Sequence, residues 1–244
     1  MQAYDRSIIV GLPIKTISNI IFRSLFIQGA WTFKNMQYIG FIFSIAPGLR
    51  ALKAANPQIK EELDSKYFNT QPYMAPAVEG IYLNLVEHGN PADAARVLPS
   101  VSCALAALGD SFFWAALKPV LCLLCLILGL ANWLWGILIV ILIYNVIHLG
   151  IMGWGFWEGY RNGPQGALTV GKIVSIERSD IISLLIPFLC GICLVIAPGS
   201  LGVQYFIAIP VFIISMLTFY KKINFLLIFY GLFILILIMT IIGI

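Results

Sequence analysis

Two ionisable side chains that could do acid–base chemistry, Asp110 and Lys118, lie in the run Gly109–Pro119. After Lys118, no Asp, Glu, Lys or Arg occurs before Glu158, a gap of about 39 residues. About 20 apolar residues are enough to cross the core of a bilayer. Because a charge in lipid is unfavourable, we expect this pair to face a protein interior or a water-filled path.

The surrounding sequence has the composition of a membrane protein. Of the 244 residues, 60% are hydrophobic and 11% are charged, whereas soluble domains carry about 25% charged residues. Two more uncharged runs cover 181–220 and 223–244. Asn132–Trp133 and Pro198–Gly202 indicate turns inside the two longer runs. We therefore predict an all-α polytopic integral membrane protein with about five transmembrane helices after Lys118.

The basic residues indicate an orientation in the membrane rather than nucleic-acid binding. They lie in the connections between predicted spans, so the net charge of +4 does not mark a nucleic-acid partner. The turns near Asn132 and Gly199 carry no cation. By the positive-inside rule, residues 1–118 are expected on the cytoplasmic side and the C-terminus outside. The cations beside the later spans are Lys172, Arg178, Lys221 and Lys222.

The N-terminal region, residues 1–118, has a different pattern from the transmembrane region, residues 119–244. Between Ile8 and Ala55 the apolar residues are interrupted by cations, which favours amphipathic helices lying in the membrane interface. Asn35–Leu49 is uncharged over only about 15 residues, a length typical of re-entrant segments. Met1–Lys15 lacks the apolar core of a cleavable signal peptide.

A polar segment, Phe68–Pro76, comes just before an apolar stretch. It combines amide, hydroxyl and aromatic groups with Pro72 and Pro76, which restrict the backbone and disfavour a regular helix. The segment either presents hydrogen-bonding groups to a ligand or starts a helix, with Pro in the first turn and Asn or Thr as the cap.

Three motifs occur in the order found in the enzyme IID component of the mannose-type sugar phosphotransferase systems (PTS), and the chain resembles that family. They are Phe-Asn-Thr-x-Pro-Tyr-Met at Phe68–Met74, Gly-Asp-x-x-Phe-Trp-x-x-x-(Arg/Lys)-Pro at Gly109–Pro119, and Tyr-Asn-Val-Ile at Tyr144–Ile147. The likeness runs from about Trp31 to Gly171. The resemblance implies a single IID domain over the whole chain.

The chain departs from the usual family pattern at three motif positions. The family usually has His at the position of Gln71, Pro at that of Ser111, and more often Arg at that of Lys118. The late region near Ile196–Val203 is also shorter than usual. These departures motivate an alternative function, a regulatory or sensory membrane subunit that keeps the IID fold without transporting sugar.

The resemblance implies a membrane subunit (IID) that forms, with an obligate IIC partner, the path by which a mannose-type hexose crosses the bacterial cytoplasmic membrane. Translocation is coupled to phosphorylation of the hexose by IIB, and soluble IIA and IIB proteins carry the phosphate on histidines. The IID subunit itself is neither phosphorylated nor independently catalytic. No cofactor is implied, and a higher oligomer of IIC–IID pairs within membrane lipid is expected.

A sugar site needs carboxylate and amide groups for the hydroxyls and an aromatic face for the ring. From residue types and motif positions, we predict eight substrate-binding residues and no metal ligand. Phe113 is a further possible ring. Helical spacing does not allow Asp110 and Lys118 to pair on one helix face. The eight residues are Asn69, Gln71, Tyr73, Asp110, Ser111, Trp114, Lys118 and Asn145.

Three of the polar candidates, and His148 outside that set, also have a structural interpretation. Asp110 could be the N-cap of a helix over Ser111–Leu117. Lys118 could be a snorkelling anchor at the end of a span. Asn145 could hydrogen-bond a neighbouring helix, and His148 is expected to be a paired histidine facing the bundle.

The cysteine pairs Cys122/Cys125 and Cys190/Cys193 have the spacing of zinc half-sites, but both lie in apolar runs without a loop or a nearby base. We therefore predict no metal or redox role for them. Gly155 and Gly159 are spaced for close helix contact.

A third possible function is an unrelated membrane enzyme that uses Asp110 and Lys118 as acid and base. The sequence places no nucleophile or metal ligand near this pair, so it indicates no definite reaction.

Overall fold

The computed structural model describes residues 11–57, 67–88 and 91–201, together with Ile213. Within these residues the regular structure is helical, apart from isolated bridges between Met36 and its partners Thr32 and Phe68. The predicted all-α fold is confirmed for this part of the chain. The predicted span over 223–244, and Lys221 and Lys222 before it, lie outside the described residues. The helices are α1 Ile14–Ser24, α2 Tyr38–Ala55, α3 Ala75–Glu87, α4 Pro91–Gly109, a π-helix Asp110–Leu117, α5 Lys118–Leu130, α6 Leu134–Asn162, α7 Pro164–Ile173, α8 Ile176–Ser183 and α9 Leu185–Leu201.

The chain divides into two compact units. The first contains residues 1–118 and 141–183, and the second contains residues 119–140 and 184–244. Helix α6 begins in the second unit and ends in the first. The predicted division into regions 1–118 and 119–244 stays a prediction.

Helix α3 is the central element of the first unit, since all its residues from Ala75 to Val86 are buried. Glycines bring its backbone against that of α6. A Cβ atom on Gly80 would lie 2.4 Å from the carbonyl oxygen of Phe156, and one on Gly159 would lie 2.2 Å from the carbonyl oxygen of Ala77. The close approach predicted for the Gly155–Gly159 pair is therefore confirmed.

Helix α4 continues without a break into the π-helix and then into α5. Gly109 has helical backbone angles, φ −65° and ψ −41°, so the interpretation of Asp110 as an N-cap is wrong. The N–H of Lys118 donates to the carbonyl of Phe113, five residues earlier. Pro119 explains the widened turn, because a proline ring clashes with the carbonyl four residues before it in a regular α-helix.

Two stretches of the described residues, Pro91–Leu130 and Leu134–Asn162, are long and apolar enough to cross a membrane. The turn predicted at Asn132 is confirmed, and Asn132 has a positive φ of 56°. The turn predicted at Pro198–Gly202 is wrong as far as the structure describes it, because α9 remains helical to Leu201. In a bilayer the hydrocarbon offers no hydrogen-bond partner to the backbone groups that an open turn would expose. A helix is therefore favoured even where the sequence contains Pro and Gly.

Candidate functional site

The first two sequence motifs meet in the first unit. The loop Phe68–Met74 lies against the junction of α4 and the π-helix, where a Cβ on Gly109 would be 2.7 Å from the Cβ of Gln71 and 2.7 Å from the Cγ of Met74. Only a residue without a side chain fits at this point. The glycine of the second motif therefore allows the loop of the first motif to pack against it.

Gln37, just before α2, holds the other side of this loop. Its side chain donates from Nε2 to the carbonyl of Thr70 at 2.9 Å and accepts from the N–H of Thr70 at 3.0 Å. The N–H of Gln37 also donates to the carbonyl of Phe68 at 2.8 Å. These three hydrogen bonds fix the loop without using its side chains, so those side chains are available for other contacts.

Gln71 lies just before α3. Its Oε1 accepts from the N–H groups of Tyr73, at 2.7 Å, and Met74, at 3.2 Å. Pro76 lies in the first turn of the helix. The helix-initiating interpretation of this segment is thus correct for the proline in the first turn. It is wrong for the cap, because Met74 occupies the cap position and no side chain among the described residues bonds the first N–H groups of α3.

Two buried polar atoms of the loop have no hydrogen-bond partner among the described residues. They are Oγ1 of Thr70 and Nε2 of Gln71, and the two side chains are only 3% and 1% exposed. A buried polar group without a partner costs about 1–3 kcal/mol. Such atoms are uncommon in folded proteins, and here two neighbouring residues each carry one.

The ring of Tyr73 lies at the centre of an aromatic cluster, defined here as Tyr73, Phe113, Tyr144 and His148. Ring centroids lie 4.9 Å from Tyr73 to Phe113 and 4.6 Å from Tyr73 to His148. The hydroxyl of Tyr144 donates to that of Tyr73 at 2.8 Å. The three motifs are therefore joined through one side chain.

Lys118 lies beside this cluster. Its Nζ is 5.4 Å from the centroid of the Trp114 ring and 6.0 Å from that of Tyr73, within the range of cation–π attraction. As the spacing predicts, Lys118 forms no ion pair with Asp110, which is exposed. The structure thus brings together four of the eight predicted residues: Gln71, Tyr73, Trp114 and Lys118.

The side chains of the other four predicted residues form no hydrogen bond or ring contact with these four in the described part of the chain. Asp110 is exposed, and Asn69 and Ser111 are half-buried. The side-chain amide of Asn145 donates to the carbonyl of Ile141 at 2.8 Å in its own helix. Among the described residues this is a bond within one helix, so the interpretation that Asn145 bonds a neighbouring helix stays a prediction.

Sequence reasoning did not include Thr70, Tyr144 or His148 among the site residues. The buried ring of His148 has its Nδ1 3.0 Å from the carbonyl oxygen of Tyr144, so the expectation of a paired histidine facing the bundle is confirmed. Its position four residues after Tyr144 was the available signal, because side chains at that spacing share a helix face.

Comparison with known proteins gives the family. The model of the PTS mannose/fructose/sorbose family IID component matches residues 12–194. The mannose-specific EIID component of Escherichia coli K12 is 30% identical over 156 residues, which are 60% of this chain and 55% of that protein. The fructose permease IID component of Bacillus subtilis is 26% identical over 162 residues, 63% of this chain and 59% of its own length. The chain thus spans a little over half the length of these relatives.

Solved structures share the fold. The cryo-EM structure of the mannose transporter ManYZ in complex with microcin E492 matches 96% of this chain and 98% of its own, with a TM-score of 0.55 and 22% identity. A second solved membrane protein matches over the same shares with a TM-score of 0.66 and 23% identity. The family model covers most of the chain and these neighbours are membrane proteins, so the chain is a membrane protein that belongs to the PTS mannose/fructose/sorbose family of IID components.

Proposed function

We propose that this chain is the IID subunit of a phosphoenolpyruvate-dependent permease that forms, with a IIC subunit, the path for a mannose-type hexose. Phosphorylation of the sugar by IIB drives the process, with IIA supplying the phosphate. Family membership supports the subunit type. The names of the similar proteins, which include mannose, fructose and sorbose systems, support a hexose substrate.

One observation carries the site assignment. The loop that presents the Tyr73 ring also holds the two unpartnered buried atoms, Thr70 Oγ1 and Gln71 Nε2. A hydroxyl that donates and accepts, an amide that donates, and an aromatic face are the groups that sugars bind. A sugar hydroxyl here would give both atoms the partners that they lack.

The surrounding residues fit a site completed by a second subunit. Lys118 adds a cation over Trp114, which is half exposed. Asp110, Asn69 and Ser111 keep exposed or partly exposed polar groups nearby in sequence. In this proposal those groups meet IIC or the sugar held at the IIC–IID boundary, and Asn145 contributes from α6.

The membrane arrangement is part of the proposal. The chain crosses the bacterial cytoplasmic membrane with about five helices after Lys118, the N-terminal region faces the cytoplasm and the C-terminus lies outside. IIC–IID pairs assemble into a higher oligomer. Movement of this subunit against IIC alternates access to the sugar, as repeats and bundles move in other transporters.

Uptake of labelled hexoses tests the proposal. Transport-deficient cells expressing this chain with its IIC and soluble partners are compared with cells lacking only this chain, and phosphorylated sugar is recovered from both. Phosphorylated hexose that accumulates only with the chain present is the expected result. No dependence, with membrane insertion and IIC pairing confirmed, would favour a regulatory subunit that does not transport.

A further inference from the structure

A carboxyl group lies at the meeting point of three helices, away from the aromatic cluster and its loop. Glu79 of α3 is fully buried, with 0% of its surface exposed. The Oγ of Ser24 on α1 lies 2.5 Å from its Oε2, and the Oγ of Ser44 on α2 lies 2.5 Å from its Oε1. Glu79, Ser24 and Ser44 are called here the carboxyl joint.

The joint contains fewer hydroxyl protons than acceptor oxygens. Ser24 Oγ is also 2.9 Å from the carbonyl oxygen of Ile20, and Ser44 Oγ is 2.8 Å from that of Phe41. Each hydroxyl has a single proton, so two protons face four acceptors. A proton on Glu79 changes this balance: Glu79 then donates to Ser24, Ser24 donates to Ile20, and Ser44 donates to Glu79.

The backbone of α2 packs closely on both sides of the carboxyl joint. One turn before Ser44, a Cβ on Gly40 would be 2.0 Å from the carbonyl oxygen of Ile27. One turn after it, a Cβ on Gly48 would be 2.8 Å from the Cδ1 of Leu83. The backbone of α2 is thus in close contact with neighbouring elements above and below the fully buried carboxyl. Among the described residues, no cation lies close enough to offset the charge of an ionised carboxylate there.

The charged groups on the packed elements are engaged elsewhere. Arg23 on α1 donates to Asn19 and to the carbonyl of Phe43 at exposed positions. Arg50 on α2 lies at 3.3 Å from the carbonyl of Ala46 in its own helix, and Lys53 lies more than two turns beyond Ser44.

Around the rest of α3 the titratable groups form separate contacts. Glu87, two turns beyond Glu79, accepts from the hydroxyl of Tyr160 on α6. On α4, Asp93 pairs with Arg96. The remaining charged groups of the packed helices are at exposed or half-buried positions: Lys15 on α1, Glu158 and Arg161 on α6, and Lys172 on α7.

We propose that Glu79 is a proton-binding site that closes the contact between α1, α2 and α3, holding its proton while the joint is closed and releasing it when the joint opens to water. Burial raises the pKa of Glu79 from 4.5 to about 7, and the hydrogen bonds from Ser24 and Ser44 oppose this rise. The open joint exposes an ordinary glutamate. The closed state therefore binds more protons between about pH 4.5 and about pH 7, and its stability falls as the pH rises through this window. Above the upper limit both states are ionised and the dependence ends.

The test uses the full chain purified with its IIC partner in detergent. The thermal midpoint is measured from about pH 5 to about pH 8, a range that covers most of the window in which linkage predicts a change and continues above its upper limit. Wild type is compared with Glu79→Gln, which keeps the size and hydrogen bonds but cannot ionise, and with Glu87→Gln as the matched control on α3. We expect the midpoint of wild type and of Glu87→Gln to fall with rising pH by more than that of Glu79→Gln. Equal pH dependence of Glu79→Gln and wild type would overturn the proposal.

Infrared spectroscopy gives a second readout that does not need Glu79→Gln to fold. The band of a protonated carboxylic acid should be present in the wild-type complex at low pH and lose intensity as the pH rises. Ser44→Ala removes one donor to the carboxylate, so its titration should move to higher pH. A titration that stays in place or moves to lower pH in Ser44→Ala would contradict the assignment.

Discussion

The hydroxyl of Tyr144 on α6 donates a hydrogen bond of 2.8 Å to the hydroxyl of Tyr73, which lies in the loop before α3. This bond joins residues that are 71 positions apart in the sequence. It orients the Tyr73 ring between Phe113 and His148. The geometry of the aromatic cluster therefore depends on a contact between two of the sequence motifs.

Tyr73→Phe and Tyr73→Ala separate the hydroxyl from the ring. Tyr73→Phe removes the hydrogen bond to Tyr144. One such bond contributes about 1 kcal/mol, so this variant should reduce hexose uptake by roughly fivefold. Tyr73→Ala removes the ring that contacts Phe113 and His148 and should reduce uptake by at least tenfold more. Initial uptake rates at equal membrane levels of the complex measure both effects. Wild-type uptake by Tyr73→Ala would exclude the ring from the site.

Thr70→Val distinguishes a ligand contact from a structural threonine. Among the described residues the buried hydroxyl of Thr70 has no hydrogen-bond partner, so replacing it by a methyl group should leave stability unchanged or raise it by up to about 1 kcal/mol. If the hydroxyl binds the sugar, the KM for uptake should rise by roughly tenfold. An unchanged KM would show that no sugar hydroxyl reaches this position.

Lys118→Arg and Lys118→Met test the cation beside Trp114. Arg keeps the charge over the ring, so Lys118→Arg should retain most uptake, whereas Lys118→Met should reduce it by roughly tenfold. Lys172→Met, at an exposed position on α7, is the control for loss of a cation. If both methionine variants transport equally well, Lys118 is an interfacial anchor.

Gly159→Ala and Gly153→Ala are a matched pair on α6. A Cβ on Gly159 would overlap the carbonyl oxygen of Ala77, while one on Gly153 would have nothing within 4 Å. Overpacking costs about 1–3 kcal/mol, so Gly159→Ala should lower the thermal midpoint of the purified complex and Gly153→Ala should not. Equal midpoints would contradict the direct contact between the backbones of α3 and α6.

Much of the described fold followed from residue patterns, because uncharged runs indicated the long apolar helices. Four of the eight candidate site residues, Gln71, Tyr73, Trp114 and Lys118, also lie together in the structure. The turn at Asn132 could be predicted because asparagine tolerates a positive φ better than most residues. Asn132 adopts a positive φ in the structure.

The failures have physical causes that local patterns do not contain. The glycine before Asp110 suggested the start of a helix, but the helix is continuous there. Gly109 instead leaves room for the side chains of Gln71 and Met74, which come more than thirty residues earlier in the sequence. The unpartnered atoms of Thr70 and Gln71 become visible only when the fold buries them. Glu79 stood as a single acid in an apolar stretch, and its partners Ser24 and Ser44 come from two other helices.

Uptake of phosphorylated hexose by Trp114→Ala, compared with Trp157→Ala as the control, decides whether a sugar binds at the aromatic cluster. The two tryptophans are equally exposed, at 46% and 49%, but only Trp114 lies beneath Lys118 at the proposed sugar site. With equal assembly on IIC, Trp114→Ala should lose at least tenfold in uptake and Trp157→Ala should transport like wild type. Equal uptake by the two variants would contradict a sugar site at this cluster.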